Sequence, residues 1–257
     1  MISSPPASAP LTASVRRRLD AGGHRAARCD VYAGDGVRFY DALVGADRSE
    51  IHEILTVARA CGPRVLDLAA GSGRVTLPLL RVGKTVTALD LSTDMLDRLR
   101  AVLAPGARCE LVAADMRDAD LGRRFDLVVL AATSITLLGA EDRARLFATV
   151  RRHLAADGRF VLSIAGPAAA QALAVSADRV IDLPPSAEGG VERFLQSQEV
   201  DPATRTRVVN WMPLTPAATG DTVPVLTTRL HLLDSEGLMA ELAVAGFAVP
   251  DVIPVRG

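Results

Sequence analysis

Residues 65–74 read Val-Leu-Asp-Leu-Ala-Ala-Gly-Ser-Gly-Arg, and this stretch decides the fold. Its apolar start is typical of a buried strand, and the strand ends in a carboxylate, Asp67. Gly71 and Gly73 follow in a turn, where the missing side chains let a ligand approach the backbone closely. The helix expected next presents free N–H groups and the positive end of its dipole at the same place. The turn therefore predicts a site for a nucleotide-like ligand with a polar tail, in which Asp67 suits an ammonium group or an N–H donor.

A second acidic residue, at the end of the next apolar segment, indicates how the ligand would be held. Residues 85–89 are predicted to form a strand, and Asp90 follows it. A carboxylate about 20 positions after such a turn accepts hydrogen bonds from both hydroxyls of a ribose. NAD and S-adenosylmethionine both satisfy this pattern. The pyrophosphate of NAD favours a third glycine in the spacing G-x-G-x-x-G, and that glycine is missing here, because residues 74–76 are Arg-Val-Thr.

Apolar strands and helices alternate on either side of this segment. Strands are predicted over 64–68, 85–89, 109–113, 125–130 and 160–164, and helices over 37–43, 50–60, 74–80, 92–103 and 141–154. Fully apolar strands that alternate with helices indicate a parallel sheet with helices on both faces. The predicted fold class is therefore α/β and Rossmann-like.

The pattern changes in the last third of the chain. Residues 166–190 are rich in Ala, Pro and Gly and are interpreted as a loop or a weak helix. Three strands joined by short turns then predict an antiparallel layer. They cover residues 191–200, 206–212 and 223–232. Asp234 is expected to cap a helix that ends at Gly246, before a last strand over 247–253.

The composition argues against several classes of function. A net charge of −1 lacks the basic excess with which proteins neutralise the phosphates of nucleic acids. No apolar run reaches the ~20 residues that span a bilayer, and the N-terminus lacks the pattern of a signal peptide. The three cysteines are too widely spaced for a zinc site or a disulfide framework. We therefore expect a cytoplasmic protein with no metal, no nucleic-acid partner and no membrane partner.

The segment with the Gly-rich turn resembles motif I of the class I S-adenosylmethionine-dependent methyltransferases. Three further segments follow in the order of that family. Residues 89–92 are similar to motif II, residues 113–117 to the end of the third strand, and residues 125–130 to the fourth strand. The resemblance implies a mostly parallel seven-stranded sheet with helices on both faces, and S-adenosylmethionine as the cofactor.

The resemblance also implies the roles of individual residues. Asp90 would bind the ribose, and Leu91 would border the adenine. Asp115 would receive the adenine amino group, and Met116 would pack on the ring. The complete set of expected cofactor-binding residues is Asp67, Ala69, Gly71, Gly73, Arg74, Asp90, Leu91, Met95, Asp115, Met116 and Ala131.

Two departures from the family pattern are visible. Ala69 stands where the family usually has the first glycine of the turn. After the fourth predicted strand, residues 131–135 read Ala-Ala-Thr-Ser-Ile. This is not the Asn/Asp-Pro-Pro-aromatic motif of enzymes that methylate amino groups of bases or glutamine, which weakens any nucleic-acid interpretation.

The composition and the family resemblance together divide the chain into four predicted segments. These are a disordered tail over 1–12, a helical N-terminal cap over 13–62, the cofactor-binding core over 63–165, and a C-terminal region over 166–257. The C-terminal region would combine an antiparallel layer, which covers the acceptor site, with the last helix and strand of the core.

Candidate acceptor-site residues come from both flanks of the core. Methyl transfer requires alignment and exclusion of water, so a base is needed only when the acceptor arrives protonated. The candidate catalytic residues are His231 and Tyr40, and the candidate substrate-binding residues are Tyr32, Thr133, Ser134, Trp211 and Arg229. Structural alternatives stay open: Tyr40 and Trp211 could fill the core, Thr133 and Ser134 could cap a turn, and His231 could be a structural histidine.

The flanks also suggest a type of acceptor. Residues 229–247 are similar to the C-terminal segment of amino-sugar and peptide N-methyltransferases of bacterial natural-product pathways. Residues 30–51 are similar to enzymes of daptide-type ribosomal peptide clusters, which dimethylate a terminal amine. The resemblance implies N-methylation of an amine on a small molecule or a modified peptide, by a monomer or a homodimer. Three alternatives stay open: O-methylation of a hydroxyl, an NAD-dependent reductase, and a catalytically silent cofactor-binding protein.

Overall fold

The structure is a computed structural model that describes residues 9–45, 47–184, 191–215 and 218–255. The helices are α1 (Ala13–Gly22), α2 (Asp35–Val44), α3 (Ile51–Ala60), α4 (Thr76–Arg81), α5 (Thr93–Val102), α6 (Ala140–His153), α7 (Pro167–Leu173) and α8 (Ser235–Val244). The strands are β1 (Arg25–Asp30), β2 (Arg64–Leu68), β3 (Thr85–Asp90), β4 (Cys109–Ala113), β5 (Phe125–Leu130), β6 (Leu154–Leu162), β7 (Ala177–Leu183), β8 (Glu192–Asp201), β9 (Thr206–Pro213) and β10 (Thr222–His231).

The described residues divide into two compact units. The first, here called the parallel unit, contains residues 47–165 and 233–255. The second, here called the mixed unit, contains residues 9–45 and 166–232. Among their helices, none combines the length and the apolar character that crossing a bilayer requires.

The parallel unit is built on a five-stranded sheet in the order β4-β3-β2-β5-β6, in which all neighbours are parallel. One apolar cluster fills the face covered by α3, α4 and α5, and another fills the face covered by α6 and α8. Burial on both faces explains why β2 and β5 are apolar along nearly their whole length. The predicted α/β class, with helices on both faces of a parallel sheet, is confirmed.

The mixed unit contains a second five-stranded sheet, in the order β1-β10-β9-β8-β7. β1 runs parallel to β10, and the other neighbours are antiparallel. Val15 and Leu19 of α1 pack on one face of this sheet, and Phe39 of α2 packs on the other. The predicted antiparallel layer is therefore present.

The structure corrects several expectations about segments. The sheet that the family resemblance implied to be seven-stranded has five strands here, and residues 247–253 form no strand in the described part of the chain. Residues 25–30 form a strand inside the segment expected to be helical, and residues 177–183 form a strand where a loop was expected. Both strands lie at a sheet edge, where β1 is mostly half-buried and β7 is mostly exposed, so they lack the apolar run that marks a central strand.

The predicted disordered tail is partly wrong. Residues 1–8 lie outside the described residues, as do residues 185–190 of the predicted loop. Residues 9–12 are ordered, because the Thr12 N–H donates to Oδ1 of Asn210 at 2.7 Å, and Asn210 Nδ2 donates to the Pro10 carbonyl at 3.1 Å. The Thr12 hydroxyl also caps α1 by accepting from the Val15 N–H. These partners are distant in the sequence, so the local composition gave no sign of them.

An ion pair between a buried arginine and a half-buried glutamate joins α6 to α8 in the parallel unit, and it gives a stability prediction. Arg143 is 5% exposed. Its Nε donates to Glu241 Oε2 at 2.6 Å, and its Nη1 donates to the Leu138 carbonyl at 2.8 Å. We predict that Glu241→Ala lowers the free energy of unfolding by ~2–4 kcal/mol, because it leaves a buried guanidinium without its carboxylate. Urea denaturation followed by circular dichroism measures this loss.

The matched control is Asp118→Ala, which removes a carboxylate from the exposed pair with Arg145. Exposed pairs contribute little, so we expect a loss below ~1 kcal/mol. Equal losses in the two variants would contradict the role assigned to the Arg143–Glu241 pair.

Candidate functional site

The candidate site is the turn that follows β2, at the carboxyl edge of the parallel sheet. β2 lies between β3 and β5, so this turn borders the ends of both neighbouring strands. Three of its residues have left-handed backbone: Ala69 (φ +52°), Gly71 (φ +55°) and Gly73 (φ +99°). The Ala70 N–H donates to the Leu89 carbonyl at 3.0 Å, which ties the turn to β3. The predicted Gly-rich turn therefore exists as a tight, anchored bend.

The two glycines of the turn have different surroundings. A Cβ built on Gly71 would meet nothing closer than Met95 Sδ, at 4.0 Å, so the space above Gly71 is open. A Cβ built on Gly73 would lie 2.4 Å from Leu99 Cδ1. Gly73 thus lets α5 pack against the turn, whereas Gly71 leaves room for a ligand beside the backbone. The sequence assigned both glycines to ligand approach and gave no sign of this division.

Asp90 connects the turn to the end of β3. Its Oδ2 accepts a hydrogen bond from the Gly71 N–H at 2.8 Å, and its Oδ1 accepts one from the Ser92 N–H at 2.8 Å. Burial raises the pKa of Asp90, and these backbone hydrogen bonds act against the rise. The carboxylate predicted to bind a ribose therefore lies next to the open space above Gly71.

Asp67 lies beneath the turn rather than on its surface. It is 1% exposed, and its Oδ2 accepts a hydrogen bond from the Thr76 hydroxyl at 2.6 Å. Burial raises the pKa of Asp67 to about 7, and the nearby charge of Asp90 acts in the same direction. In this structure Asp67 supports the bend through Thr76, a residue that the sequence did not single out. A direct contact of Asp67 with a ligand stays a prediction.

Arg74 and Glu50 join two loops at the same edge of the sheet. The Arg74 guanidinium pairs with the Glu50 carboxylate and donates to the Ser49 carbonyl at 3.2 Å. Glu50 Oε1 also accepts from the Ala132 N–H at 2.8 Å, and the two paired side chains are 13% and 12% exposed. Glu50 therefore holds the turn after β2 and the segment after β5 together. The sequence offered no signal for this role. An acidic residue at the start of a helix is common, and Glu50 has that ordinary position.

The segment after β5 has a strained backbone. Ala132 and Thr133 both have φ of +55°, which costs a residue with a side chain roughly 1–2 kcal/mol. The Thr133 N–H donates to Ser163 Oγ at 3.2 Å, and Ser134 begins a short 3₁₀ turn. Such strain persists only where neighbouring contacts fix it, and it concentrates at functional sites. The predicted substrate residues Thr133 and Ser134 therefore lie on the same edge as the turn.

Asp115 is engaged by a neighbouring arginine. Arg117 Nε donates to both carboxylate oxygens of Asp115, at 2.9 and 3.0 Å, and Arg117 Nη1 donates to Asp142 at 2.9 Å. Burial acts against the charge on Asp115, but the hydrogen bonds from Arg117 outweigh it, so the pKa of Asp115 is lowered. A role in receiving an adenine amino group, which stays a prediction, would compete with Arg117.

The remaining predicted cofactor residues lie around the same strands. Met95 is 2% exposed and Ala131 is 7% exposed. Met116 is partly buried against the cluster on the α6 face, and Leu91 is half-buried directly after Asp90. The structure thus brings these residues to the ends of β3, β4 and β5.

The acceptor-site candidates of the mixed unit do not lie together. Side chains alternate along a strand, and the register pairs Trp211 with Leu226 and His231 with Thr206. Trp211 therefore lies on the face covered by α2, together with Tyr32 and Tyr40, whose rings are 5.3 Å apart. Arg229 and His231 lie on the opposite face.

Trp211 and Tyr32 have surroundings that limit their roles. Trp211 is 7% exposed and its ring lies 5.5 Å from that of Phe39, so it fills the hydrophobic cluster beneath α2. Burial raises the pKa of Tyr32 well above its ordinary value, and its hydroxyl bonds the Thr228 side chain. Tyr32 therefore stays protonated at neutral pH and is unsuited to act as a base there.

His153 is a buried histidine of the parallel unit with a structural role. His153 is 1% exposed; its Nδ1 lies 2.8 Å from the Thr149 carbonyl and its Nε2 accepts from the Leu121 N–H at 2.9 Å. Within the ranges that the structure describes, no three His, Cys, Asp or Glu side chains are grouped as metal ligands would be.

Comparison with known proteins shows which family this chain resembles. A family model described as a methyltransferase domain matches residues 65–158. The crystal structure of the glycopeptide N-methyltransferase MtfA in complex with S-adenosyl-L-homocysteine is 33% identical to this chain, covers 93% of it and 89% of its own chain, and has a TM-score of 0.59. This similarity extends over both units.

Two curated relatives match shorter parts. The malonyl-[acyl-carrier protein] O-methyltransferase of Geobacter sulfurreducens is 30% identical over 172 residues, which are 64% of this chain and 63% of that protein. The cypemycin N-terminal methyltransferase of a Streptomyces species is 32% identical over 108 residues, 42% of this chain and 44% of that protein. The chain therefore aligns with less than two thirds of each of these relatives.

The contrast between the two glycines gives a prediction for ligand binding. In Gly71→Ala the added methyl group would occupy the open space, so we expect the affinity for S-adenosylhomocysteine to fall about 10- to 100-fold, which corresponds to an overpacking cost of ~1–3 kcal/mol. The left-handed backbone should cost folding stability roughly 1–2 kcal/mol. Isothermal titration calorimetry measures the affinity.

Gly73→Ala is the companion variant. Its Cβ would collide with Leu99, so we expect a larger loss of folding stability than in Gly71→Ala. An affinity of Gly71→Ala within about threefold of the parent would show that the ligand does not lie over Gly71.

The raised pKa of Asp67 predicts how stability depends on pH. The folded protein binds this proton more tightly than the unfolded chain, so Asp67 makes the free energy of unfolding fall as the pH rises from about 4 to about 7. Asp67→Asn removes the titration and keeps an acceptor for Thr76. We therefore expect the variant to gain stability relative to the parent across this range, as measured by urea denaturation at several pH values.

Asp126→Asn is the control, because the contribution of Asp126 to stability changes with pH in the direction opposite to that of Asp67. Hydrogen bonding from Arg64 lowers the pKa of Asp126, so its contribution is present above the ordinary pKa and is lost as the pH falls. A difference between Asp67→Asn and the parent that does not change with pH would contradict the assignment.

Proposed function

This chain belongs to the class I S-adenosylmethionine-dependent methyltransferases, and from that premise we propose that it transfers a methyl group to an amine of a small-molecule or peptide natural product. The observation that carries the choice of an amine is the 33% identity to a glycopeptide N-methyltransferase across 93% of the chain. The turn after β2 separately supports binding of the family's cofactor, because it provides an open space above Gly71 with the Asp90 carboxylate beside it.

The residues present suit the cofactor of this family. In the proposal, Asp90 binds the ribose hydroxyls, Gly71 leaves room for the nucleoside, and Leu91, Met95 and Met116 line the adenine side. When bound, the cofactor supplies a methyl group that its sulfonium already activates. The protein itself must therefore orient the acceptor and keep water away.

An amine acceptor reduces the need for a strong base. Its lone pair attacks once a proton has been lost, and a neighbouring group or water can take that proton. His231 and Tyr40 remain the candidates. They lie on opposite faces of the mixed sheet, so at most one of them contacts an acceptor bound on a given face.

A terminal amine of a ribosomal peptide is the narrower form of the proposal, with the reaction in the cytoplasm. The similarity of residues 30–51 to daptide-type enzymes and the match to the cypemycin N-terminal methyltransferase support it. O-methylation is the second candidate, because the malonyl-[acyl-carrier protein] O-methyltransferase aligns with a longer part of this chain than the cypemycin enzyme does.

The proposal is tested by product analysis. Purified protein is incubated with methyl-deuterated S-adenosylmethionine and a panel of peptides, amino sugars and small amines, each with its hydroxyl counterpart. We expect labelled methyl groups on nitrogen, located by fragmentation in the mass spectrometer, and a strong decrease in Gly71→Ala. Label on oxygen alone would reject the amine proposal, and tight cofactor binding without turnover of any acceptor would reject catalysis.

A further inference from the structure

Arg207 is a half-buried arginine of the mixed unit with unusual surroundings. Its side chain lies on the α2 face of the sheet, the face that also carries Val209 and Trp211. Across the described ranges, the Arg207 side chain forms no ion pair, and its one hydrogen bond runs from Nη1 to Oε1 of Gln198 at 2.5 Å. A guanidinium carries several N–H donors in a planar fork, so most donors of Arg207 stay available.

Other arginines that are shielded from solvent have carboxylate partners. Arg143 pairs with Glu241, Arg74 pairs with Glu50, and Arg117 pairs with Asp115 and Asp142. Removing a cation from water is costly unless an opposite charge compensates. Arg207 bears this cost without such compensation, which indicates that its counter-charge arrives with a ligand.

Gln198 holds the Arg207 fork in a fixed position. Gln198 is 8% exposed, and its Nε2 donates to the carbonyls of Leu173 at 2.9 Å and Val175 at 2.7 Å. The orientation of the amide is therefore determined, and Oε1 points to Arg207. A cation held in advance loses little side-chain entropy when it binds a ligand.

The surroundings of Arg207 add positive charge and hydroxyl groups. Arg179 lies opposite Gln196 on the same face and donates to its Oε1 at 3.0 Å. Burial lowers the pKa of Arg207, and the charge of Arg179 acts in the same direction. The Tyr32 hydroxyl is hydrogen-bonded to the Thr228 side chain, and it lies close enough to interact electrostatically with Arg207.

We propose that Arg207, assisted by Arg179, binds a carboxylate or phosphate group of the acceptor molecule. The oxyanion supplies the absent counter-charge, and its paired oxygens match the fork of the guanidinium. The acceptor is thus an amine that also carries an anionic group. Its identity as the methyl acceptor rests on the proposed function, whereas anion binding by Arg207 does not.

The first test measures anion binding without turnover. Isothermal titration calorimetry of the full chain, saturated with S-adenosylhomocysteine, uses inorganic phosphate in one arm and acetate in the other. We expect saturable binding of at least one of them, and the tighter of the two identifies the preferred group. Arg207→Gln should weaken that binding about tenfold or more, the effect of losing a charge-assisted pair.

Arg193→Gln is the matched control, because Arg193 is an exposed arginine of the same sheet that lies on the opposite face and pairs with Asp182. It should leave the affinity unchanged within about twofold. Equal affinities in the parent, Arg193→Gln and Arg207→Gln, or no saturable binding of either anion, would overturn the proposal.

A folding readout separates ligand binding from a structural role. Removing an uncompensated half-buried charge should leave the unfolding temperature of Arg207→Gln equal to that of the parent or higher. A large decrease would assign Arg207 to structure and overturn the proposal. Arg207→Lys keeps the charge but not the fork, so its anion affinity should lie between those of the parent and Arg207→Gln.

The last arm addresses the acceptor. For an amine that the enzyme methylates, the anionic form and its neutral amide or ester are compared. We expect Arg207→Gln to raise the KM of the anionic form about tenfold with little change in kcat, and to leave the neutral form unaffected. Loss of phosphate and acetate binding without this KM effect would retain the anion site and reject its assignment to the acceptor.

Discussion

The hydrogen bond between the Gly71 N–H and the Asp90 carboxylate is the contact on which the site depends. It joins the ends of β2 and β3, which are neighbours in the parallel sheet. The same carboxylate accepts from the Ser92 N–H, so it also fixes the residue whose side chain caps α5. One acidic side chain thus sets the position of a loop, a strand end and a helix start. Its place there follows from parallel topology, which brings the carboxyl ends of strands to one edge.

Asp67 and Glu50 stabilise this edge of the sheet through different contacts. Asp67 is buried and supports the bend from below through Thr76. Glu50 joins Arg74 to the backbone of Ala132 from the side. Two strained residues after β5 are held in this arrangement, and the strain is compatible with a stable fold because several partners fix the backbone. The edge is therefore held in place by contacts within the protein itself.

The sequence predicted the features that local chemistry determines. Residues 125–130 are apolar throughout because both faces of their strand are covered, so their pattern was sufficient to place them in a parallel sheet. The turn over 69–73 was recognisable from its glycines. Distant partners decided the rest. Gly73 has a packing role because Leu99 lies against it. Asp115 is hydrogen-bonded because Arg117, which also donates to Asp142, lies beside it.

The edge strands show the same limit. Residues 25–30 contain two arginines and an aspartate, and they are a strand because β10 pairs with them along their length. Such pairing is not encoded in the strand's own composition. Position along the chain suggests that the acceptor-site candidates lie together, whereas the register of β9 and β10 places Trp211 and His231 on different faces. Register is a property of two strands together, and a single segment does not reveal it.

The position of Trp211 has a practical consequence for spectroscopy. It is the single tryptophan of the chain and lies in the apolar cluster of the mixed unit. Selective excitation of indole therefore reports on that unit alone, while the parallel unit contributes no emission of its own. A mismatch between the fluorescence transition and the calorimetric transition would reveal that the two units lose their structure in separate steps.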